Sequence, residues 1–209
     1  MLLETYGGKL VPLAISEQHF KRPRGILKVR VTETDGSAPI HNRVHLRAAD
    51  GKFYTPNNAY ARAGTRGDLI FHNAGEFEVT LPVGEVSLDF VKGFEFFPQN
   101  LRVDIEEGEV TQLAVVMERM TDMGAKGWYS ASTHVHSNYG GNLHNTLENL
   151  MMMSRAEDQD LVLEQVANKD NRILDYQYFV PGGGPHPISA EDQIVVVGQE
   201  FRPPFYGHV

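Results

Sequence analysis

Residues 26–34 alternate with a period of two. Leu27, Val29 and Val31 fall on one face, while Ile26, Lys28 and Arg30 fall on the other. That period belongs to a strand with one face in a core, and Asp35-Gly36 ends it with a turn. The pattern then recurs at short spacing. Residues 44–48 run to Asp50-Gly51, and residues 77–81 pass through Pro82-Val83-Gly84 into residues 86–91. The second of these predicts a β-hairpin. Leu101, Val103 and Ile105, then Leu113, Val115 and Met117, close the series around Glu107-Gly108. Short strands punctuated by Gly, Pro and Asp predict an antiparallel β-sandwich rather than βαβ units.

This all-β module is expected over residues 24–120, after an N-terminal extension of residues 1–23. Residues 54–71, rich in Ala, Gly, Arg and Asn, read as a long surface loop within it. His41, His45 and His72 lie in the module and read as surface or hydrogen-bonded histidines rather than ligands. The texture changes at Thr121-Asp122-Met123-Gly124, which opens a second region, 121–209. There, residues 131–136 read as a strand. Asn145 and Glu148 have capping-box spacing, which predicts a helix with Asn145 as N-cap. Leu147, Leu150 and Met151 share one face of that helix. Residues 161–166, largely apolar, and residues 194–197 read as strands buried on both faces. Strand, helix, strand and strand in this order predict an α/β barrel or doubly wound sheet. Trp128 and Tyr129 are expected to pack at the junction.

Composition narrows the chemistry. A net charge of −8 without a basic cluster argues against nucleic acid, and only Lys21-Arg22-Pro23-Arg24 is locally basic. With no cysteine, there is no disulfide framework and no thiolate ligand. A metal would have to be held by His, Asp and Glu. No apolar run reaches membrane-spanning length, and Glu4 and Gly7-Gly8 interrupt what a secretory signal requires. The expectation is a soluble chain, cytoplasmic by default, acting on a small-molecule substrate with no membrane partner. No Gly-x-Ser-x-Gly elbow is present, which leaves metal-activated water as the hydrolytic route.

His134-Val135-His136 lies at the C-terminal end of a predicted strand. Alternation there puts both imidazoles on one face and Val135 on the other, so that both rings can converge on one ion. Gly198-Gln199-Glu200 follows the apolar run 194–197 and brings a carboxylate to a second strand end, the functional face of parallel barrels. Imidazole and carboxylate together suit Zn, Mn or Fe. His208 beside Gly207 is a further candidate ligand, equally explained as an exposed terminal histidine. Pro181-Gly182-Gly183-Gly184-Pro185-His186-Pro187 reads as a flexible loop over the barrel mouth, with His186 as a candidate substrate contact.

The words around these residues, Gly127-Trp128-Tyr129-Ser130-Ala131-Ser132-Thr133-His134-Val135-His136-Ser137-Asn138-Tyr139-Gly140-Gly141, resemble the PHP (polymerase and histidinol phosphatase) metallohydrolases of the CehA/McbA type. Asn145-Thr146 with Glu148-Asn149-Leu150, Arg155-Ala156-Glu157-Asp158, Asn168-Lys169 with Arg172, Tyr178-Phe179 and Gly198-Gln199-Glu200 extend the resemblance over residues 127–209. The module before it more loosely resembles carboxypeptidase-regulatory-like sandwiches. The resemblance implies the N-terminal portion of a (β/α)7 barrel with His134 and His136 as the first ligand pair. It also implies Glu200 as a bridging carboxylate and His208 as a ligand of a second ion. The implied chemistry is hydrolysis of a carbamate, amide, ester or phosphoester, with catalytic residues beyond the ligands unassigned.

Two departures follow. Asn168-Lys169 stands where many of these proteins have Asp-His, so two ions are expected rather than three; Lys169 would bind a substrate anion or, preferably, pair with Asp170. A barrel of this type needs roughly 200–250 residues, more than residues 127–209 supply. The expectation is a fragment, a homo-oligomer or partner segment that completes the barrel, or a chain without turnover. The alternative function is a binding or assembly protein that uses the sandwich, with the barrel segment as an association surface.

Overall fold

The computed structural model describes residues 22–34, 36, 38–63, 67–138, 145–169, 172–173 and 175–200, with two short strands near the N-terminus. Those two, β1 (Leu2–Glu4) and β2 (Leu10–Pro12), pair antiparallel. The next eight are β3 (Arg24–Glu33), β4 (Asn42–Arg47), β5 (Tyr60–Ala63), β6 (Leu69–Asn73), β7 (Glu76–Pro82), β8 (Gly84–Val91), β9 (Gln99–Ile105) and β10 (Val110–Met117). They form a three-stranded sheet, ordered β10-β3-β7, and a five-stranded sheet, ordered β5-β6-β4-β8-β9. Leu27, Val29, Val31, Leu81 and Met117 from the first sheet meet Val44, Leu46, Phe71, Leu88 and Phe90 from the second in one buried core. Each large side chain buried in this way contributes roughly 1.5–3 kcal/mol. This is a β-sandwich, as the alternation predicts.

Three sequence expectations are corrected. Strands β7 and β8 are not a hairpin: β7 pairs with β3, whereas β8 pairs with β4 and β9. The corner between them carries the chain from one sheet to the other, with Gly84 at φ +119°, where a side chain is strained. A two-residue hairpin and a sheet-switching corner carry the same turn residues, so local sequence does not separate them. Second, β10 runs parallel to β3, so the sandwich is not wholly antiparallel. Third, the expected loop at residues 54–71 takes in β5 and the start of β6, which pair antiparallel. Strand β5 is a half-exposed edge, where small and charged residues are suitable and an apolar alternation is not required.

The second region is α/β. Strand β11 (Ala131–Val135), helix α1 (Leu147–Ala156) and strand β12 (Leu161–Lys169) make a parallel βαβ unit. Strand β14 (Ile194–Glu200) pairs parallel with the other edge of β12, and the short β13 (Arg172–Ile173) turns back on its end. Helix α1 starts one residue later than the spacing suggests. Thr146, not Asn145, is the N-cap, and its side chain accepts from the Asn149 amide. Asn145 is buried and bonded to Asn138 instead. Leu147, Leu150 and Met151 pack on Val162, Val166, Val195 and Val197, which covers one face of the sheet. The opposite face keeps Leu161, Leu163 and Val196 half-buried and leaves Ile194 39% exposed.

The two regions meet at the C-terminal end of α1. Glu157 accepts from Arg43 at 2.7 Å and lies 3.1 Å from His72 Nε2. Asp158 pairs with Lys92 at 3.3 Å and Arg119 at 3.2 Å. Arg119 also holds Glu33 and Glu95 and lies over the Phe96 ring. Burial raises the Glu157 carboxyl, but His72 and Arg43 outweigh it and hold the group below the usual range. The junction is thus sealed by ion pairs and not by Trp128 and Tyr129, which are 69% and 76% exposed.

Candidate metal centre

Regular alternation along β11 from Ala131 would place His134 and His136 on the face covered by α1. The ladder to β12 changes this. Ala131 and Ser132 oppose Leu161 and Val162, but Val135 opposes Glu164, so β11 carries one extra residue. Such a bulge flips every later side chain to the other face. Val135 now packs in the core beneath α1. His134 and His136 therefore project from the uncovered face, beside the C-terminal end of β14.

Glu200 meets them there. His134 Nε2 and His136 Nε2 are 2.9 Å apart, His136 Nε2 is 3.0 Å from Glu200 Oε2, and His134 Nε2 is 3.8 Å from Glu200 Oε1. One donor atom from each of the three lies within 4.8 Å of the others. Ligands about 2.0–2.2 Å from a tetrahedral zinc sit roughly 3.3 Å apart; the two imidazole nitrogens and the His136–Glu200 pair are near that spacing, while His134 faces the other Glu200 oxygen. The tautomer fits as well. His136 Nδ1 lies 2.7 Å from the Gln165 carbonyl oxygen, which only accepts, so the ring donates from Nδ1 and presents the Nε2 lone pair to the cluster. Two imidazoles and a carboxylate aimed at one point are a donor set for Zn, Mn or Fe. The side chains of Glu200, His136 and His134 are 5%, 18% and 60% exposed, so the cluster has a buried floor and an open rim.

A residue that the sequence reading did not single out lies behind this cluster. Glu164 on β12 has no exposed surface, and its carboxylate accepts from the Ser137 amide at 2.9 Å and the Ser137 hydroxyl at 2.7 Å. Burial pushes its pKa up to about 7 against the pull of these two bonds, and Asp175 adds to the rise. Asp175, Asn138 and Asn145 complete a buried polar network: Asn138 donates to Asp175 at 2.6 Å and to the Asn145 carbonyl at 3.0 Å. A glutamate inside the apolar run 161–166 was the available signal, since a charged residue in a doubly buried strand needs a partner.

The other candidates fall elsewhere. His208 lies outside the described residues, as does the Lys169 side chain; the Lys169 backbone opposes Arg172 where β13 turns back on β12. His186 is not in the cluster. Its amide donates to Val195 and Pro185 bridges to Val196, so this segment borders the N-terminal half of β14, whereas Glu200 ends that strand. The expected loop over the mouth is thus at the other end of the strand, and His186 Nδ1 accepts from the Ile188 amide. Among the sandwich histidines, His72 is buried against Glu157. His41 lines a junction cavity of about 530 Å³, and burial, with Arg155 and Lys92 nearby, lowers its pKa to about 4.

Comparison with protein families and with characterised proteins finds no match. Among solved structures, the chain is similar to the minor pilin GBS52 of Streptococcus agalactiae, at 16% identity and a TM-score of 0.34, over 48% of this chain and 47% of that one. The TIE protein of Bacillus anthracis matches at 15% identity and a TM-score of 0.32, over 46% and 16%. Phospholipase PlaB of Legionella pneumophila matches at 10% and 0.28, over 57% and 28%. The match spans less than half of each of these proteins, and likeness at this level does not bear on function.

Proposed function

We propose that this chain carries the first metal-binding strands of a metal-dependent hydrolase of the PHP type. The observation that supports the reading is the convergence of His134, His136 and Glu200 at the C-terminal ends of neighbouring parallel strands. A divalent Zn, Mn or Fe ion held there supplies Lewis acidity toward a substrate oxygen and toward water at neutral pH. The chain's own contribution is positional. The bulge in β11 turns both imidazoles to one side, Gln165 fixes the His136 tautomer, and Glu200 supplies a buried negative charge at the floor. The exposed His134 leaves the rim open to a carbamate, amide, ester or phosphoester. A second ion would draw on His208, and Lys169 is a candidate for substrate contact.

Metal content tests this directly. Purified protein, assayed by elemental analysis, is expected to hold about one or more transition-metal ions per chain, and a His134→Ala/His136→Ala variant to hold none. Chromogenic ester, carbamate and phosphoester substrates then test turnover. Absence of metal from the unaltered chain after incubation with Zn²⁺ and Mn²⁺ would remove the hydrolase reading and favour a binding or assembly role.

A further inference from the structure

We infer that Glu164 and Ser137 form a positioning pair that holds the metal-ligating geometry of His136. The inference rests on the metal reading above and adds residues to it. Consecutive residues of β12 grip consecutive residues of the ligand strand: the Gln165 carbonyl takes the His136 Nδ1 proton, and the Glu164 side chain takes both donors of Ser137. Each contact restrains a different freedom. The carbonyl fixes the imidazole's rotation and tautomer, while the carboxylate fixes the backbone immediately after it.

That backbone needs fixing. Strand β11 ends at Val135, so His136 has no further ladder of its own to hold it, and the bulge has already broken the register two residues earlier. Glu164 therefore stands where the strand stops, on the core side of β12, opposite the cluster that it serves. A carboxylate with no exposed surface inside an apolar core carries a desolvation cost that a leucine at the same position avoids. Fold stability alone gives little reason to place it among Val135, Val162, Val166 and Val197, whereas positioning the ligand strand does.

The contrast between stability and metal affinity forms the test. Zn²⁺ affinity, by competition titration with a chromogenic chelator, and thermal midpoint are measured for the unaltered chain and four variants. Glu164→Gln keeps an acceptor for the Ser137 amide and is expected within about threefold of the original affinity. Glu164→Leu removes both acceptors and is expected to weaken binding roughly 10–100-fold, the range for outer-shell partners, with no matching fall in thermal midpoint. Ser137→Ala, which leaves the core untouched, is expected to weaken binding by about threefold and decides the matter if Glu164→Leu fails to fold. The His134→Ala/His136→Ala variant sets the background. Zinc bound tightly by the original chain but equally well by Glu164→Leu and Ser137→Ala overturns the positioning role and leaves the metal site standing. Zinc bound no better by the original chain than by the double variant overturns the metal site, and the positioning role with it.

Discussion

Glu164→Gln should remove the pH dependence of stability that one buried position contributes. The carboxyl is raised from 4.5 to about 7 in the fold, so its neutral form is the one that the core accepts. A raised carboxyl contributes stability fully below its unfolded pKa and loses it as pH climbs through the folded value. For Glu164 that loss begins near pH 4.5 and is complete by about pH 8. Raising the carboxyl from 4.5 to about 7 corresponds to about 3 kcal/mol. Glutamine has nearly the same shape and accepts from the Ser137 amide without ionising. Urea unfolding followed by circular dichroism, with a chelator present to keep the site metal-free, would give both stabilities at pH 5 and pH 8. The two proteins should agree to within about 1 kcal/mol at pH 5, where the glutamate is protonated. At pH 8 the variant should be more stable by about 3 kcal/mol. His41, lowered to about 4, destabilises the fold as pH falls below 6.5, but both proteins carry it and the difference cancels it. The same offset at both pH values would refute the argument, because it would mean that Glu164 does not change its protonation across that range.

Three further perturbations probe the frame around the site. Gly93→Ala should destabilise by at least about 1 kcal/mol, since φ is +49° and the added carbon would come within 2.6 Å of the Glu157 carbonyl and the Asp158 side chain; a thermal melt unchanged to within a degree would contradict that close approach. Arg119→Ala strips a cation from Glu33, Glu95 and Asp158 and should cost about 1–3 kcal/mol in urea unfolding, with the cost shrinking in 1 M salt. Leu150→Ala, at a position 2% exposed beneath the parallel sheet, should cost about 2–5 kcal/mol and raise amide exchange in β12 and β14 before it does so in β4 and β8.

How far the sequence is legible depends on whether a feature is local. Alternation at Leu27, Val29 and Val31 reports one face of one strand, and those residues are buried where the pattern puts them. The apolar runs at 161–166 and 194–197 likewise lie in β12 and β14. Pairing is not local, which is why Pro82-Val83-Gly84 reads as a hairpin although its flanking strands belong to different sheets. Edge strands also escape, because β5 has one partner and sets little more than Ala61 against the core, too little to impose a period. Trp128 and Tyr129 illustrate a third limit. Large aromatic rings suggest a packed junction, yet the junction is filled by Glu157 and Asp158, whose partners are scattered through positions 43–119.

The metal cluster shows the same limit in a single residue. His134-Val135-His136 predicts two rings on a shared face but cannot say which face, since that depends on every residue between the strand's start and the pair. Counting from Ala131 gives the face under α1, where two imidazoles would have to be buried among Leu150, Val162 and Val195 at considerable desolvation cost. The extra residue in β11 sends Val135 there instead and the histidines to the open face. The apolar preference of Val135 and the polar preference of its neighbours thus favour the same register. Beyond the bulge the ladder reaches only Val135, and the bonds from β12 to His136 and Ser137 take over. The irregularity that creates the site therefore also creates the need for Glu164. A variant that restored regular pairing by deleting Thr133 would be expected to keep Val135 opposite Glu164, and so to leave both rings on the open face with the cluster and its zinc affinity intact.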